Sequence, residues 1–241
     1  MLRCRPLLEI APHLFTTAAV ELRDDEDEWR LVAEEMGVDR GAIRLLRQVH
    51  GRAVAVARRD ERVPTERPEA DILISDDSGT AIAVRVADCA PMLLADRTTG
   101  AAAAAHAGWR GAMQDVAATA VRAMRETFGS DPADLVVAIG PSLGACCGEM
   151  GPEVVVAFRE AGHAEQDIAR WLTPGPRGRA HFDLPLANRD QFERAGVPGT
   201  SIHVAGLCTR CRPDVFHSYR AAGASAGRML GAIRPADFTV G

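Results

Sequence analysis

Two histidines and one cysteine are the residues of this chain whose types best suit a reactive metal centre. His50 precedes a glycine, Cys89 lies between two short apolar runs, and His106 ends a run of alanines. Imidazole and thiolate are preferred ligands of Zn²⁺, and a catalytic zinc takes three protein ligands and keeps one position open. The three residues are therefore candidates for such a site.

The spacing of Cys89 and His106 supports their pairing. Apolar residues 91–95 and 101–107 are joined by a polar segment, which predicts a hairpin with its turn centred near residues 97 and 98. An antiparallel pair folded there places Cys89 directly opposite His106. His50, at the end of another predicted strand, could supply a third ligand. A buried structural cysteine and a hydrogen-bonded structural histidine are equally ordinary interpretations of these residue types.

The elements that must position these side chains are mostly short strands. Residues 70–107 contain four apolar runs bounded by Gly, Asp and Thr turns, which predict a meander of buried strands. Further strands are predicted at residues 43–46, 53–57, 135–139 and 201–205. Helices are predicted at residues 24–36, 113–128, 152–161 and 184–195, and residues 216–233 fit either type.

The irregular order of these elements indicates the fold class. Strands outnumber helices and do not alternate with them, which favours an α+β fold over a doubly wound one. We therefore expect mixed or antiparallel β-sheets flanked by helices, in a single domain over residues 1–241.

Composition excludes several classes of protein. Hydrophobic residues make up 47% and charged residues 25% of the 241 residues, which is ordinary for a globular protein. The net charge is −5 and arginines are interspersed with acids, so no basic patch for nucleic acid is expected. No apolar stretch approaches the roughly 20 residues of a membrane span, and the start lacks a signal-peptide pattern. The 6 cysteines are expected to stay reduced, in the cytoplasm.

Several motifs follow one another in a distinctive order. They are Gln48-Val49-His50-Gly51, Ala70-Asp71-Ile72-Leu73, Ala87-Asp88-Cys89-Ala90-Pro91, His106-Ala107-Gly108-Trp109-Arg110-Gly111, Ile139-Gly140-Pro141, Cys146-Cys147, Cys208-Thr209 and Phe216-His217-Ser218-Tyr219-Arg220. Together they resemble the laccase-domain family, formerly described as multicopper polyphenol oxidases and now as purine nucleoside phosphorylases. The resemblance runs from about Gln48 to near the C-terminus.

The resemblance implies a function and a ligand set. His50, Cys89 and His106 correspond to the family's zinc ligands and are the implied catalytic centre. The implied reaction is phosphorolysis of adenosine, inosine, guanosine or methylthioadenosine to base and pentose 1-phosphate, with adenosine deamination as a companion. The implied partners are a purine nucleoside and phosphate, bound by a monomer or small homo-oligomer with no nucleic-acid or membrane partner.

Other residues are assigned roles around this centre. Arg110, Arg220 and Gln48 are expected to contact phosphate or ribose. Gln48 and Asp88 are also candidates to orient the ligand histidines. Trp109 is a candidate to stack on the base, or else a buried structural tryptophan.

The chain also departs from the family pattern. Residues 13–19 lack the usual arginine and the glycine pair that follows it, Gly148 replaces a tyrosine and Ala221 replaces an arginine. These changes alter the expected pocket wall and leave the ligands in place.

Alternative functions remain open on the sequence. Cys89 with a histidine could form the thiolate–imidazolium pair of a hydrolase acting on an amide or a peptidoglycan precursor. A degenerate, non-catalytic family member is another possibility. Cys208 and Cys211, with His203 or His217, could hold a structural zinc. A true laccase is disfavoured, because 7 His with no His-x-His pair are too few for a mononuclear and a trinuclear copper site.

Overall fold

The computed structural model describes residues 1–23, 25–58 and 66–238. Within these residues the α-helices are α1 (Arg5–Leu8), α2 (Glu26–Met36), α3 (Trp109–Met113), α4 (Val116–Phe128), α5 (Pro152–Glu160), α6 (Glu165–Trp171), α7 (Leu184–Arg194) and α8 (Tyr219–Ala222). The strands are β1 (His13–Phe15), β2 (Ile43–Leu45), β3 (Val54–Ala57), β4 (Ile72–Ser75), β5 (Ala81–Val86), β6 (Ala90–Asp96), β7 (Ala102–Ala107), β8 (Leu135–Ile139), β9 (Glu149–Met150), β10 (Leu172–Pro174), β11 (Ala180–Phe182), β12 (Ile202–Val204) and β13 (Met229–Ile233).

Two mixed sheets form the centre of the molecule. The larger sheet has the order β12-β8-β6-β7-β4-β3, and the smaller has the order β1-β13-β5-β2. The pairs β3–β4, β8–β12 and β2–β5 are parallel and the remaining neighbours in these two sheets are antiparallel. A third sheet has the order β10-β11-β9.

Alternating side chains bury both faces of the central strands. In β6, Met92 and Leu94 pack in the cluster that contains α4 and α7, whereas Leu93 packs between the two large sheets. In β5, Val84 faces the larger sheet and Ala83 faces α2. Because successive side chains of a strand point to opposite faces, the protein is layered as helix, sheet, sheet, helices. This arrangement confirms the predicted α+β class with mixed sheets flanked by helices.

One local prediction is wrong and another has the wrong boundary, each for a physical reason. Residues 70–107 do not form a meander, because β5 leaves for the smaller sheet and β4 pairs with β7 instead. The helix predicted at residues 113–128 is present as α4 but begins at Val116, because Asp115 adopts a left-handed conformation with φ 56° just before it.

The ambiguous segment at residues 216–233 contains both element types. It forms the short helix α8 and then the strand β13. Among the described residues, no helix has both the length and the apolar character needed to cross a membrane.

Candidate functional site

The fold brings His50, Cys89 and His106 together. His50 lies in the connection after β2, Cys89 lies where the chain crosses from β5 in one sheet to β6 in the other, and His106 is on β7. Their side-chain ligand atoms lie within 4.8 Å of one another. The Cys89 Sγ is 3.8 Å from the His50 Nε2, and the two imidazole centroids are 4.8 Å apart. The three side chains therefore converge as a metal site requires.

The hairpin that carries two of them is real, but its predicted register is wrong. Pro91, not Cys89, lies opposite His106. The turn occupies residues 97–100, because the Asp96 carboxylate accepts the backbone N–H groups of Thr98 and Thr99 at 2.7 and 3.1 Å. Gly100, with φ 76°, completes the turn. The predicted register differs from the observed one by two residues. Because side chains of a strand return to the same face every two residues, Cys89 and His106 still lie on one face and meet diagonally.

Asp71 is the side chain that organises the cluster, although the sequence motifs gave it no role. Its carboxylate is fully buried and accepts the Nδ1–H of His106 at 2.7 Å. It also accepts the backbone N–H groups of residues 49, 50 and 51 at 3.2, 3.0 and 2.7 Å. One carboxylate therefore fixes both the His106 ring and the turn that presents His50. With its Nδ1 proton bonded to Asp71, His106 directs Nε2 towards Cys89, as a metal-ligating histidine does.

The hydrogen bonds among these groups shift their pKa values strongly. Burial would lower the pKa of His106, but hydrogen bonds with Asp71 and Cys89 outweigh it and raise the pKa to about 9. Burial would raise the pKa of the Cys89 thiol, but hydrogen bonds with His106 and His50 lower it to about 6. Near neutral pH the metal-free site is therefore a thiolate–imidazolium pair. The thiolate is the form of cysteine that binds a metal.

The backbone is strained at two points of this site. His50 has φ 59° and Asp88, which precedes Cys89, has φ 85°. Such positive values are uncommon for residues other than glycine, and they persist where surrounding contacts impose them. The Asp71 carboxylate holds the first turn, and the Asp88 carboxylate is held by the Thr209 hydroxyl at 2.6 Å and the Arg220 N–H at 2.5 Å. Both ligand-bearing turns are thus locked by buried carboxylates.

Gly108 leaves room for the cluster. A Cβ at this position would lie 2.9 Å from the Cys89 Sγ and 3.5 Å from the His50 Cδ2. Any larger residue would therefore press on two of the three candidate ligands.

The three side chains line a cleft of about 1270 Å³. The cationic side chains on its walls are those of Arg23, Arg47, Arg67, Arg85, Arg110, Arg220 and Arg228, whereas Glu66 and Asp88 are the acidic ones. A cleft lined mainly by one sign of charge concentrates ions of the opposite sign. The electrostatics of the cleft therefore favour an anionic ligand.

Arg110 and Arg220, the expected phosphate or ribose contacts, both line this cleft. The Arg110 guanidinium carbon is 4.3 Å from the centroid of the Trp109 ring. The Arg220 Nη1 donates to the backbone oxygen of Glu149 at 2.9 Å. Each guanidinium is thus oriented by one neighbour.

The predicted orienting roles of Gln48 and Asp88 are wrong. The Gln48 amide lines the cleft but bonds both the N–H and the C=O of Arg85, each at 2.9 Å. The Asp88 carboxylate bonds Thr209 and Arg220 rather than a histidine. These side chains therefore hold the cleft wall, and Asp71 orients the histidines.

Two partly exposed aromatic side chains line the cleft, Trp109 and Tyr219. Trp109 is partly buried against the core, with the Arg110 guanidinium over its ring. Tyr219, the first residue of α8, lines the cleft with 56% of its surface exposed. Tyr219 could have been identified from the sequence, because it precedes Arg220 in one of the family motifs.

The chain is similar to known proteins in sequence and in fold. Residues 21–235 match the family described as multi-copper polyphenol oxidoreductase laccase. The chain is 37% identical over 163 residues to a purine nucleoside phosphorylase of Bacteroides thetaiotaomicron, a match that covers 68% of this chain and 60% of that protein. It is 36% identical over 210 residues to adenosine deaminase RL5 of an unknown prokaryotic organism, covering 84% and 78%.

A solved structure has the same fold. The crystal structure of YlmD from Geobacillus stearothermophilus matches with a TM-score of 0.80 at 28% identity, over 94% of this chain and 90% of that one. The sequence motifs, the fold and the match over residues 21–235 agree, and the chain belongs to the multi-copper polyphenol oxidoreductase laccase family.

Proposed function

We propose that this chain is a zinc-dependent purine nucleoside phosphorylase with adenosine deaminase as a companion activity. The substrates are adenosine, inosine, guanosine and methylthioadenosine, each with phosphate. The observation that carries the proposal is the convergence of His50, Cys89 and His106 in an arginine-lined cleft. Relatives named purine nucleoside phosphorylase and adenosine deaminase support the choice of substrate.

The donor set favours zinc over copper. Two imidazoles and one thiolate with an open side match a catalytic zinc site. Within the described residues, the groups that could hold a metal are this set and a set of four cysteines, and neither is the histidine-rich cluster of a multicopper oxidase. When bound, zinc supplies Lewis acidity that polarises oxygen donors and offsets negative charge in the cleft.

The arginines of the cleft suit the phosphate. In phosphorolysis a phosphate oxygen forms a bond to the ribose C1′ while the bond from C1′ to the purine nitrogen breaks. Arg110 and Arg220 are the proposed phosphate or ribose contacts, because each guanidinium lies in the cleft and is oriented by a neighbour. Fixed cations reduce the cost of bringing the anion to the ribose. Gln48 is the proposed third contact, from the same wall.

A bound purine needs an aromatic surface on which to stack. Adenosine deamination, the companion reaction, also needs water. We assign base stacking to Tyr219, whose exposed ring lies in the cleft beside Arg220. The cleft opens to solvent, so water can also reach a bound adenosine. Addition of water at the purine C6 and departure of ammonia would give the companion deamination.

The free thiols support a cytoplasmic location. The described cysteines are all unpaired. A thiolate ligand persists where thiols stay reduced, so we place the reaction in the cytoplasm.

The test is metal analysis combined with product analysis. The protein is purified without added metal, zinc and copper are measured, and adenosine is incubated with and without phosphate. We expect bound zinc, phosphate-dependent release of adenine, and loss of both zinc at this site and adenine release in Cys89→Ala. Cys4→Ala, which removes a thiol outside both cysteine-containing clusters, is the matched control. Bound zinc without turnover of any purine nucleoside would refute the substrate assignment.

A second candidate function rests on the Cys89–His106 pair itself. A thiolate with a pKa of about 6 beside an imidazolium can attack an amide carbonyl, and the imidazolium can give its proton to the departing amine. A cysteine hydrolase of this kind is favoured only if the purified protein holds no metal at Cys89 and is inactivated by alkylation of that thiol.

A further inference from the structure

Four more cysteines converge outside the cleft. Cys146 and Cys147 lie between β8 and β9, and Cys208 and Cys211 lie between β12 and α8. The four sulfur atoms lie within 4.8 Å of one another. The Cys211 Sγ is 3.5 Å from both the Cys146 Sγ and the Cys147 Sγ. Two pairs of thiols that are far apart in sequence are thus brought to one point.

The larger sheet explains how they meet. The strands β8 and β12 are parallel neighbours, so the segments that follow them leave the same edge of the sheet. The pairing continues past the strands, where the Ser142 N–H donates to the Leu207 oxygen at 3.2 Å and the Thr209 N–H donates to the Ser142 oxygen at 3.1 Å. Backbone bonds therefore align the two segments before the thiols come into contact.

The surroundings of Cys208 suit a thiolate ligand. The backbone N–H groups of Gly144 and Cys211 both donate to its sulfur. Hydrogen bonds of this kind stabilise a sulfur that carries negative charge and fix its position for a metal. Cys146 and Cys211 are exposed and the other two thiols are half-buried, so an ion can enter from solvent.

We propose that Cys146, Cys147, Cys208 and Cys211 bind a second zinc ion at a closed, structural site. Four cysteines are a donor set of structural zinc, and four sulfurs that are each about 2.3 Å from one zinc lie about 3.8 Å apart. The sulfur separations in this cluster, from 3.5 Å upwards and all within 4.8 Å, allow that arrangement after small side-chain rotations. His203 and His217, considered as partners of Cys208 and Cys211, are not in the cluster.

The site braces the wall of the cleft. Leu143, three residues before Cys146, lines the cleft. Its backbone N–H donates to the backbone carbonyl oxygen of Asp88 at 2.8 Å. Thr209, next to Cys208, donates its hydroxyl to the Asp88 carboxylate. The second zinc therefore joins two segments that both hold the turn before Cys89.

The decisive experiment uses Cys89→Ala, because this variant removes a ligand of the proposed catalytic site and leaves the four-cysteine cluster intact. Cys89→Ala is purified under reducing conditions, its zinc is measured and the zinc environment is examined by X-ray absorption. We expect about one tightly bound zinc per chain, with sulfur neighbours only, at about 2.3 Å. This result does not depend on the proposed phosphorylase activity.

Two further proteins complete the design. Cys208→Ser is expected to lose the all-sulfur zinc, and Cys4→Ala is expected to keep it. If Cys208→Ser does not fold, cobalt titration of Cys89→Ala replaces it, with thiolate-to-cobalt charge-transfer bands as the expected signature. Purified Cys89→Ala without zinc, with iron in its place, or with disulfides among the four cysteines would overturn the proposal.

Discussion

The molecule contains two clusters of side chains that could hold a metal ion, and they are built in different ways. His50, Cys89 and His106 are presented by a strand and by two strained turns, and the Asp71 carboxylate lies behind them. The four cysteines lie in loops that extend a parallel strand pair, with backbone N–H groups as the neighbours of Cys208. The first cluster lines the arginine-rich cleft, whereas the second does not.

On our two proposals, the first cluster holds a metal that takes part in the reaction, and the second holds a metal that stabilises the fold. Three mixed ligands leave a position open for substrate, and a buried carboxylate fixes the ring and tautomer of His106. Four thiolates fill the coordination shell of an ion and leave no position for substrate. Such an ion serves only as a crosslink between the loops that supply the thiolates. Variants of the two clusters should therefore affect different properties of the protein.

The largest effect is expected from Cys89→Ala compared with Cys211→Ser. Metal polarisation supplies several kcal/mol, so Cys89→Ala should lower kcat/KM for adenosine phosphorolysis by about a thousandfold or more. Cys211→Ser should leave kcat/KM within about tenfold, because a position outside the reacting centre acts only through positioning. Equal losses in both variants would remove the distinction between the two clusters.

The second test concerns the pH dependence of thiol reactivity in metal-free protein. Because the pKa of Cys89 is lowered to about 6, its thiolate is present above that pH and is lost as the pH falls through it. Alkylation of Cys89 by iodoacetamide should follow this curve, whereas burial raises the pKa of Cys4 and delays its reaction to higher pH. Mass spectrometry of the labelled peptides measures both rates. In His106→Ala the Cys89 midpoint should move upwards.

Asp71→Asn tests the carboxylate that only the first cluster has. Loss of such a partner costs about 10–100-fold in metal affinity, so the zinc at Cys89 should weaken by that factor while the four-cysteine zinc is unchanged. Competition with a chelator measures the two affinities. Asp39→Asn is the matched control, since Asp39 is exposed and makes no capping hydrogen bond. Similar affinities in the two variants would contradict the role of Asp71.

Tyr219→Ala tests whether the cleft beside the first cluster receives a purine. Stacking of a base on an aromatic ring is worth about 1–3 kcal/mol, so kcat/KM should fall by roughly tenfold, chiefly through KM. Tyr219→Phe keeps the ring and should retain most of the activity. Steady-state kinetics with adenosine and inosine decide the matter, and an unchanged KM in Tyr219→Ala would exclude the stacking role.

The smallest effect is expected on stability. If the four-cysteine zinc contributes about 1–2 kcal/mol, Cys211→Ser should lower Tm by roughly 5 °C. Thermal unfolding with and without a chelator checks this. A chelator should lower the Tm of Cys4→Ala and change that of Cys211→Ser less.

Local sequence patterns predicted the central strands, the longer helices and the candidate ligands, but they missed short elements such as β1, α6, β10 and β11. Apolar runs predicted the strands that became β4 to β8, and the types of His50, Cys89 and His106 with the family motifs predicted the cluster. The two-residue error in the predicted hairpin register did not affect the site, because alternate side chains of a strand point to the same face.

Tertiary structure decided the contacts between segments that are far apart in the sequence. The departure of β5 to the second sheet, the four contacts of the Asp71 carboxylate, and the meeting of Cys146 and Cys147 with Cys208 and Cys211 all depend on pairings between non-adjacent strands. Periodicity fixes which face a side chain occupies, but a strand carries no local signal for its partner. For this reason the sequence and its family motifs named the candidate ligands of the first cluster, and only the fold showed how Asp71 supports them and that the four cysteines meet.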